Sequence, residues 1–207
     1  MQSQSNKNEP TVYVNGCLQN YDLSEIQRFG DFIELVKSSI DPDHMIIEVV
    51  FNGEELKDSD WESSLSKFSG GTFEIKTDQP ERFALSRLVE APNIVNAIFK
   101  IFREARMFFN EGKMVEGNKL LINAVTALKE FMSWYYLILE LLPEDRRSNF
   151  LIDTTINDLT KSCSKITEAQ LYGSWWMIAE TIKANVEPAL DDLEVKLRTT
   201  VNQIYKR

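Results

Sequence analysis

The side chains that most often support catalysis or bind metals are few in this sequence and far apart. The single histidine, His44, lies beside Asp43 in a predicted turn, where histidine usually has no catalytic role. With one histidine and no clustered cysteines, the usual ligand sets of zinc sites are missing. GxSxG, GxxxxGK[ST] and GxGxxG motifs are also missing. We therefore expect no cofactor and no metal.

Paired carboxylates, another common catalytic arrangement, do not have the required geometry. Asp191 and Asp192 are adjacent on a predicted helix, where neighbouring residues do not share a face. Glu104, Glu111 and Glu116 belong to predicted bundle helices but lack the Glu-x-x-His repeats of di-iron bundles. Solvated charge is the simpler interpretation, and we expect that the chain is not an enzyme.

Two clusters of large aromatic residues, Trp134-Tyr135-Tyr136 and Trp175-Trp176, are more informative. Adjacent helix positions point about 100° apart, so one narrow core seam cannot hold every ring. Tyrosine and tryptophan are enriched in protein-binding hot spots. Two alternatives remain open. Either the rings are covered within this protein, by its other domain or in a homodimer, or they bind a different protein.

The net charge of −9 is unevenly distributed along the chain. Residues 1–80 contain 6 Lys/Arg and 15 Asp/Glu, whereas residues 81–207 contain 17 of each. The change in charge predicts a domain boundary near residue 80. Because phosphate binding needs a basic face, the acidic first part argues against nucleic acid as a partner.

The sequence shows no sign of export or of membrane insertion. The N-terminus is polar and lacks the apolar stretch of a secretory signal, and no run of about 18 uncharged apolar residues predicts a membrane span. Cys17 and Cys163 have no CxxC spacing, which is typical of reduced thiols. We therefore expect a cytoplasmic protein whose residues 1–10 form a disordered tail.

Residues 11–78 have the turn and strand signals of a small α+β domain. Asn15-Gly16 between β-prone runs predicts a tight hairpin, and Ser24 can cap the helix that follows. The predicted order is a hairpin at 11–21, a helix at 24–39, a strand at 45–51, a turn at 52–53 and a last strand at 72–77.

Within this domain, Phe51–Asp58, Leu65 and Thr72–Ile75 resemble the second half of a ubiquitin-like domain. The resemblance implies a β-grasp fold, in which one helix lies across a four- or five-stranded sheet. Gly70-Gly71 precedes the last strand instead of following it. Conjugation and sulfur transfer require a free C-terminal Gly-Gly, so neither activity is expected.

Ubiquitin-like domains also carry an apolar docking patch on one sheet face. If Val49 and Phe51 face the helix, strand alternation turns Ile46, Glu48 and Val50 to the open face. Ile46 and Val50 are therefore candidate protein-binding residues, although charged neighbours dilute the patch. This face is expected either to bind a partner or to pack on the helical part.

Residues 81–207 are expected to form a four-helix-type bundle, because their apolar residues recur at three- and four-residue steps. The helices are predicted to begin near Pro92, Val115, Glu144 and Ser174. Pro188 lies inside the last helix and should kink or divide it. The fold class predicted for the chain is α+β, with a ubiquitin-like β-grasp domain at 11–78 followed by an all-α antiparallel helical bundle at 81–207.

The bundle sequence has an alanine-containing helix, a glycine turn and an Asn-x-x-Leu-x-x-Ala helix, at Lys100–Ala105, Asn110–Gly112 and Gly117–Ala124. This pattern resembles the central helical hairpin of the flagellin-type export chaperone family. Members of that family bind helices of an export substrate along apolar grooves. The resemblance implies a bacterial chaperone whose partner is an amphipathic helix of a flagellar or secretion substrate. Val95-Asn96-Ala97 stands where the family has Tyr-Asp-Gly.

We therefore expect a non-catalytic protein-binding protein, a chaperone or adaptor that accepts a partner helix in an apolar groove. The alternatives are a structural module that forms a homodimer through its surplus aromatic face, a band-4.1-type receptor adaptor, and an enzyme of unrecognised type. The adaptor would need a basic lipid-facing surface, which the acidic first part does not supply. The candidate binding residues are Ile46, Val50, Trp134, Tyr135, Tyr136, Trp175 and Trp176.

Overall fold

The structure is a computed structural model that describes residues 9–205, without the side chains of residues 58, 204 and 205. Apart from Glu9 and Pro10, the tail predicted at 1–10 lies outside the described residues. The chain divides into two compact units, Met1–Phe83 and Ala84–Arg207, called here the sheet unit and the helical unit. A mixed sheet in the first and helices in the second make the chain α+β, as predicted.

The sheet unit contains five strands in the order β2-β1-β5-β3-β4. Their bounds are β1 Thr11–Val14, β2 Cys17–Gln19, β3 Met45–Phe51, β4 Glu54–Glu55 and β5 Thr72–Asp78. β1 pairs with β5 in parallel, and the other neighbouring strands are antiparallel. Asn15 and Gly16 have φ of 49° and 77°, so the predicted hairpin turn is confirmed, because a type I′ turn needs positive φ at both central residues.

Helix α1 runs from Phe29 to Ser39 and begins later than the predicted cap at Ser24. The Ser24 hydroxyl and N–H instead donate to the Asp22 carboxylate, at 2.6 and 3.1 Å, and close a local turn. Arg28 is extended and forms an isolated bridge with Ser64. This long-range pairing keeps the chain out of helical geometry until Phe29.

Phe73 on β5 is the centre of the core of the sheet unit. It is fully buried, and its ring centroid lies 4.9–5.7 Å from those of four other phenylalanines, Phe29, Phe32, Phe51 and Phe68. Each such ring pair adds ~0.5–1.5 kcal/mol beyond the area it buries. The cluster therefore fixes α1 against the sheet.

The prediction that Ile46 lies on the open sheet face is wrong. Ile46 pairs with Thr77 of β5, whereas Glu48 pairs with Lys76, so the register shifts between them. This β-bulge adds one residue to β3 and reverses the side-chain alternation. Ile46 therefore packs against the core.

The helical unit is built from four long helical stretches with short helices between them. The described helices are α2 Pro80–Leu88, which spans the boundary between the units, α3 Ala91–Asn110, α4 Met114–Glu140, α5 Glu144–Arg147, α6 Asp153–Leu171, α7 Trp175–Thr181 and α8 Glu187–Tyr205. A 3-10 turn, Ser148–Phe150, precedes α6. α3 packs on α4, α7 and α8, and α6 packs mainly on α7.

Pro188 divides the last helix, as predicted. Proline lacks an N–H, and its ring crowds the carbonyl four residues earlier. The segment Ile182–Val186 before it is a π-helical turn, in which the Glu187 N–H donates to the Ile182 carbonyl five residues back. Glu187 is thereby turned inward, and its carboxylate lies 2.6 Å from Nε of Arg106 on α3.

Gly70 and Gly71, which raised the question of conjugation, have structural roles before β5. Gly70 adopts φ 70° in open space, whereas a Cβ on Gly71 would overlap the Phe51 ring. We predict that Gly71→Ala lowers the free energy of unfolding by about 1–3 kcal/mol, because the Phe51 ring is held in the aromatic cluster and cannot move freely. Chemical denaturation measures the change.

The matched control is Gly70→Asn, because asparagine tolerates positive φ and meets no neighbour there. Its effect should be smaller than that of Gly71→Ala. Equal losses for the two variants would contradict the packing explanation.

Candidate functional site

The first aromatic cluster is divided between core and surface. Tyr135 is 0% exposed, and its hydroxyl donates a hydrogen bond of 2.7 Å to the Phe150 carbonyl. Burial raises the pKa of Tyr135 above its ordinary value. These facts correct the prediction of Tyr135 as a binding residue, because its position on the inner stripe of α4 places the ring in the core.

The two neighbours of Tyr135 point elsewhere. Trp134 is half-buried, with its ring 5.9 Å from that of Phe131. Tyr136 is 39% exposed, and its hydroxyl donates to Asp153 at the start of α6, at 3.0 Å. The pKa of Tyr136 is raised mainly by its partial burial, and the hydrogen bond to Asp153 raises it further. Tyr136 thus connects α4 to α6 at one end.

The second aromatic cluster is also divided. Trp175 is half-buried and stacks on Phe109 of α3, with centroids 6.0 Å apart and planes 11° from parallel. Trp176 is 73% exposed. Leu171 and Tyr172 at the end of α6 are 81% and 80% exposed. We call the surface formed by Leu171, Tyr172, Trp176 and Met177 the tip patch.

An apolar groove lies between α4 and α6, which run antiparallel. It encloses a volume of about 400 Å³, and Lys129, Ser133 and Thr160 add polar groups to its lining. Its apolar walls are formed by Val125, Leu128, Met132, Ile156, Leu159 and Cys163. We call it the α4–α6 groove.

Two hydrogen bonds join α4 to α6, one beyond each end of this groove. One joins Tyr136 to Asp153, and the other runs from Nε2 of Gln170 to Oδ1 of Asn118, at 3.1 Å. Between them α4 packs on α3, whereas α6 packs on α7 and on the π-helical turn. Over residues 114–171, α4 and α6 do not pack closely on each other, so the apolar seam between them stays open.

Sequence reasoning missed this groove, although α4 carries a signal for it. The inner stripe of α4 is Leu121, Ala124, Leu128, Phe131 and Tyr135, all buried. A second apolar stripe lies one position further along, at Ile122, Val125, Met132 and Tyr136. Two adjacent apolar stripes indicate a helix that packs on two neighbours.

Val50, the remaining candidate on the sheet, pairs with the exposed Glu74 of β5. The neighbouring Glu48 carboxylate lies 2.6 Å from Nζ of Lys76. Charged groups therefore surround Val50 on this face. Val50 belongs to the sheet unit, whereas the aromatic candidates belong to the helical unit.

Comparisons with family models, with curated proteins and with solved structures give no match to this chain. Within residues 9–205, no group of three His, Cys, Asp or Glu side chains is placed to hold a metal ion. The described helices include none that is long and apolar enough to cross a membrane. The α4–α6 groove and the tip patch are two apolar surfaces of the helical unit.

The two adjacent tyrosines of α4 give a matched test of core and surface. We predict that Tyr135→Phe lowers the free energy of unfolding by about 1–3 kcal/mol, because the buried Phe150 carbonyl loses its donor. Tyr136→Phe should change it by less than about 0.5 kcal/mol, because its partner is exposed to water. Urea denaturation followed by circular dichroism compares them, and equal effects would contradict the assignment.

Cys163 gives a chemical probe of the groove wall. Burial raises the pKa of its thiol, and the thiolate is the reactive form. In a Cys17→Ser variant, we predict slow labelling at neutral pH by a thiol reagent, with a rate that keeps rising above the ordinary thiol pKa. The exposed Cys17, measured in Cys163→Ser, should react faster at neutral pH. Labelling of Cys163 as fast as that of Cys17 would contradict the burial of its thiol.

Proposed function

We propose that this chain is a non-catalytic protein-binding protein, a chaperone or adaptor, and that its α4–α6 groove holds an amphipathic helix of a partner protein. The observation that supports this most is the open apolar seam between two antiparallel helices. A helix placed there would bury both walls and would occupy the position of a missing neighbour. Grooves of this kind bind helices through apolar anchors at positions i, i+3, i+4 and i+7.

The length of the groove defines the length of its occupant. The two hydrogen bonds that join α4 to α6 are separated by the part of α4 between Asn118 and Tyr136, which spans ~27 Å at ~1.5 Å per residue. Residues 125–133 of α4, which line the groove, cover ~12 Å of this distance. About two turns of a bound helix would therefore contact the groove, and a helix of up to about five turns fits between the hydrogen bonds. Such a helix would present one narrow apolar stripe to the groove and a polar face to water.

The polar groups at the groove favour a particular occupant. Lys129 is the charged residue among those that line the groove, and the hydroxyls of Ser133 and Thr160 lie near it. A carboxylate beside the apolar stripe of the partner helix would pair with Lys129. An exposed ion pair adds only ~0–1 kcal/mol, so it would orient the helix more than hold it.

The sheet unit supports the family part of the proposal. Its strand order and parallel β1–β5 pair, together with α1 packed on the sheet core, are features of a ubiquitin-like β-grasp domain. Cys17 and Cys163 are unpaired, which suits a reducing compartment such as the bacterial cytoplasm. In this proposal the helical unit does the binding, as in flagellin-type export chaperones.

A defined peptide pair tests the groove. The probe is a synthetic peptide of about 18 residues with leucines at i, i+3, i+4 and i+7 and a glutamate beside them. The control peptide has the same composition in scrambled order. In the Cys17→Ser chain, the amphipathic peptide should slow the labelling of Cys163 and the scrambled peptide should not. Equal protection of Cys163 from labelling by both peptides would contradict the proposal.

A pair of variants on α4 locates the binding. Met132→Glu places a charge in the groove wall, and we predict at least about a tenfold loss of peptide affinity because that charge would be desolvated on binding. Leu137→Glu, an exposed position on the same helix outside the groove, should keep the affinity within about twofold. Fluorescence anisotropy measures both. Equal losses would place the binding elsewhere.

Photo-crosslinking connects the groove to a natural partner. A photoreactive amino acid in place of Met132 should crosslink in cells to the apolar face of one helical segment of the partner. The same group in place of the exposed Val195 on α8 is the control. Crosslinks to the same segment from both positions, or to polar loops from Met132, would contradict helix binding in the groove.

A further inference from the structure

The tip patch is large for an exposed apolar surface. Leu171, Tyr172 and Trp176 are each more than two-thirds exposed, and Met177, which follows Trp176 in the chain, is 46% exposed. The two aromatic side chains, Tyr172 and Trp176, present ~150–250 Å² each, and with the exposed parts of Leu171 and Met177 the patch amounts to on the order of 600 Å². That matches the largest apolar patches of ordinary monomers, which are often functional.

The tip patch is also held in place by the fold. Gly173 turns the chain between α6 and α7 with φ 63°. The Ser174 N–H donates to the Ala169 carbonyl at 2.8 Å, and Trp175 is stacked on Phe109. Trp176 and Tyr172 are therefore presented from both sides of a fixed turn. A pre-ordered surface loses little conformational entropy on binding.

The charges at this end of the helical unit are balanced. Lys113 pairs with Glu111 at 2.7 Å in the turn between α3 and α4. Lys165 and Glu168, near the end of α6, have opposite signs. A strongly acidic or basic partner would gain no attraction here, whereas a second copy of the same surface meets little like-charge repulsion.

The area of the tip patch agrees with self-association. Two copies packed face to face would bury about 1,200 Å² in total, which reaches the lower limit of stable specific interfaces. A smaller patch would not form a stable dimer unless other surfaces contributed. Aromatic anchors at the centre of an interface provide most of its affinity.

We propose that the tip patch is a homodimer interface, in which two copies of the chain pack tip to tip about a two-fold axis. Tyr172 and Trp176 of each copy lie at the centre, and the contact is closed because the same surface is used twice. The α4–α6 groove of each copy remains open along the middle of α4. A dimer therefore presents two grooves, so a partner with two helices would bind with avidity. This inference does not depend on the proposed function.

Sedimentation equilibrium of the full chain, from about 1 to 200 µM, tests the proposal in the range of moderate dimers. We expect a monomer–dimer equilibrium. Trp176→Ser should raise the dimer dissociation constant about a hundredfold, because an aromatic anchor is lost from both copies. Tyr172→Ser is a second variant with the same expected direction. Both side chains are exposed, so circular dichroism should show an unchanged fold.

The matched control is Val195→Ser, an exposed apolar position on α8, which should leave the dissociation constant within about threefold. A chain that remains monomeric throughout would overturn the proposal. A dimer that both Trp176→Ser and Tyr172→Ser leave intact would also overturn it. The same holds for a dimer that Val195→Ser weakens as much as those two variants do. Open-ended polymers would also overturn it, because they indicate head-to-tail contact. Peptide binding in the groove is measured separately and can fail or succeed independently of each of these outcomes.

Discussion

The backbone N–H that Pro188 lacks is the constraint that shapes the helical unit. An uninterrupted α-helix would need that donor, and the π-helical turn over Ile182–Val186 rearranges the hydrogen bonds before it. Glu187 is thereby directed at Arg106 of α3. Because a nearly buried carboxylate is costly without its partner, this pair fixes the start of α8 on α3. α6 packs against α7 and the π-helical turn more closely than against α4.

The α4–α6 groove follows from this arrangement. α4 has two adjacent apolar stripes, and its inner stripe packs closely on α3. The outer stripe, with Val125 and Met132, faces the apolar side of α6 across an open seam. Hydrogen bonds from Tyr136 and Gln170 hold the two ends at a fixed separation. The groove is therefore part of the folded architecture, which favours recognition of a regular element such as a helix.

The aromatic clusters show how adjacent residues acquire different roles. Sequence reasoning treated Trp134, Tyr135 and Tyr136 as one binding cluster, yet the structure buries Tyr135 completely and leaves Tyr136 partly exposed. Trp175 and Trp176 differ in the same way, since one stacks on Phe109 and the other faces water. Helical geometry predicts that neighbours diverge. Which neighbour is covered depends on where another helix packs, and the sequence does not specify that.

Local signals in the sequence determined much of the fold. Asn15-Gly16 specified a hairpin, the apolar periodicity specified the long helices, and Pro188 specified a break, because each effect acts within a few residues of chain. The tertiary structure alone decided the start of α1, the inward turn of Ile46, the groove and the tip patch. Arg28 is held extended by Ser64, and Ile46 is turned by a bulge against β5. Pairing between distant segments sets these features, and local propensity does not encode it.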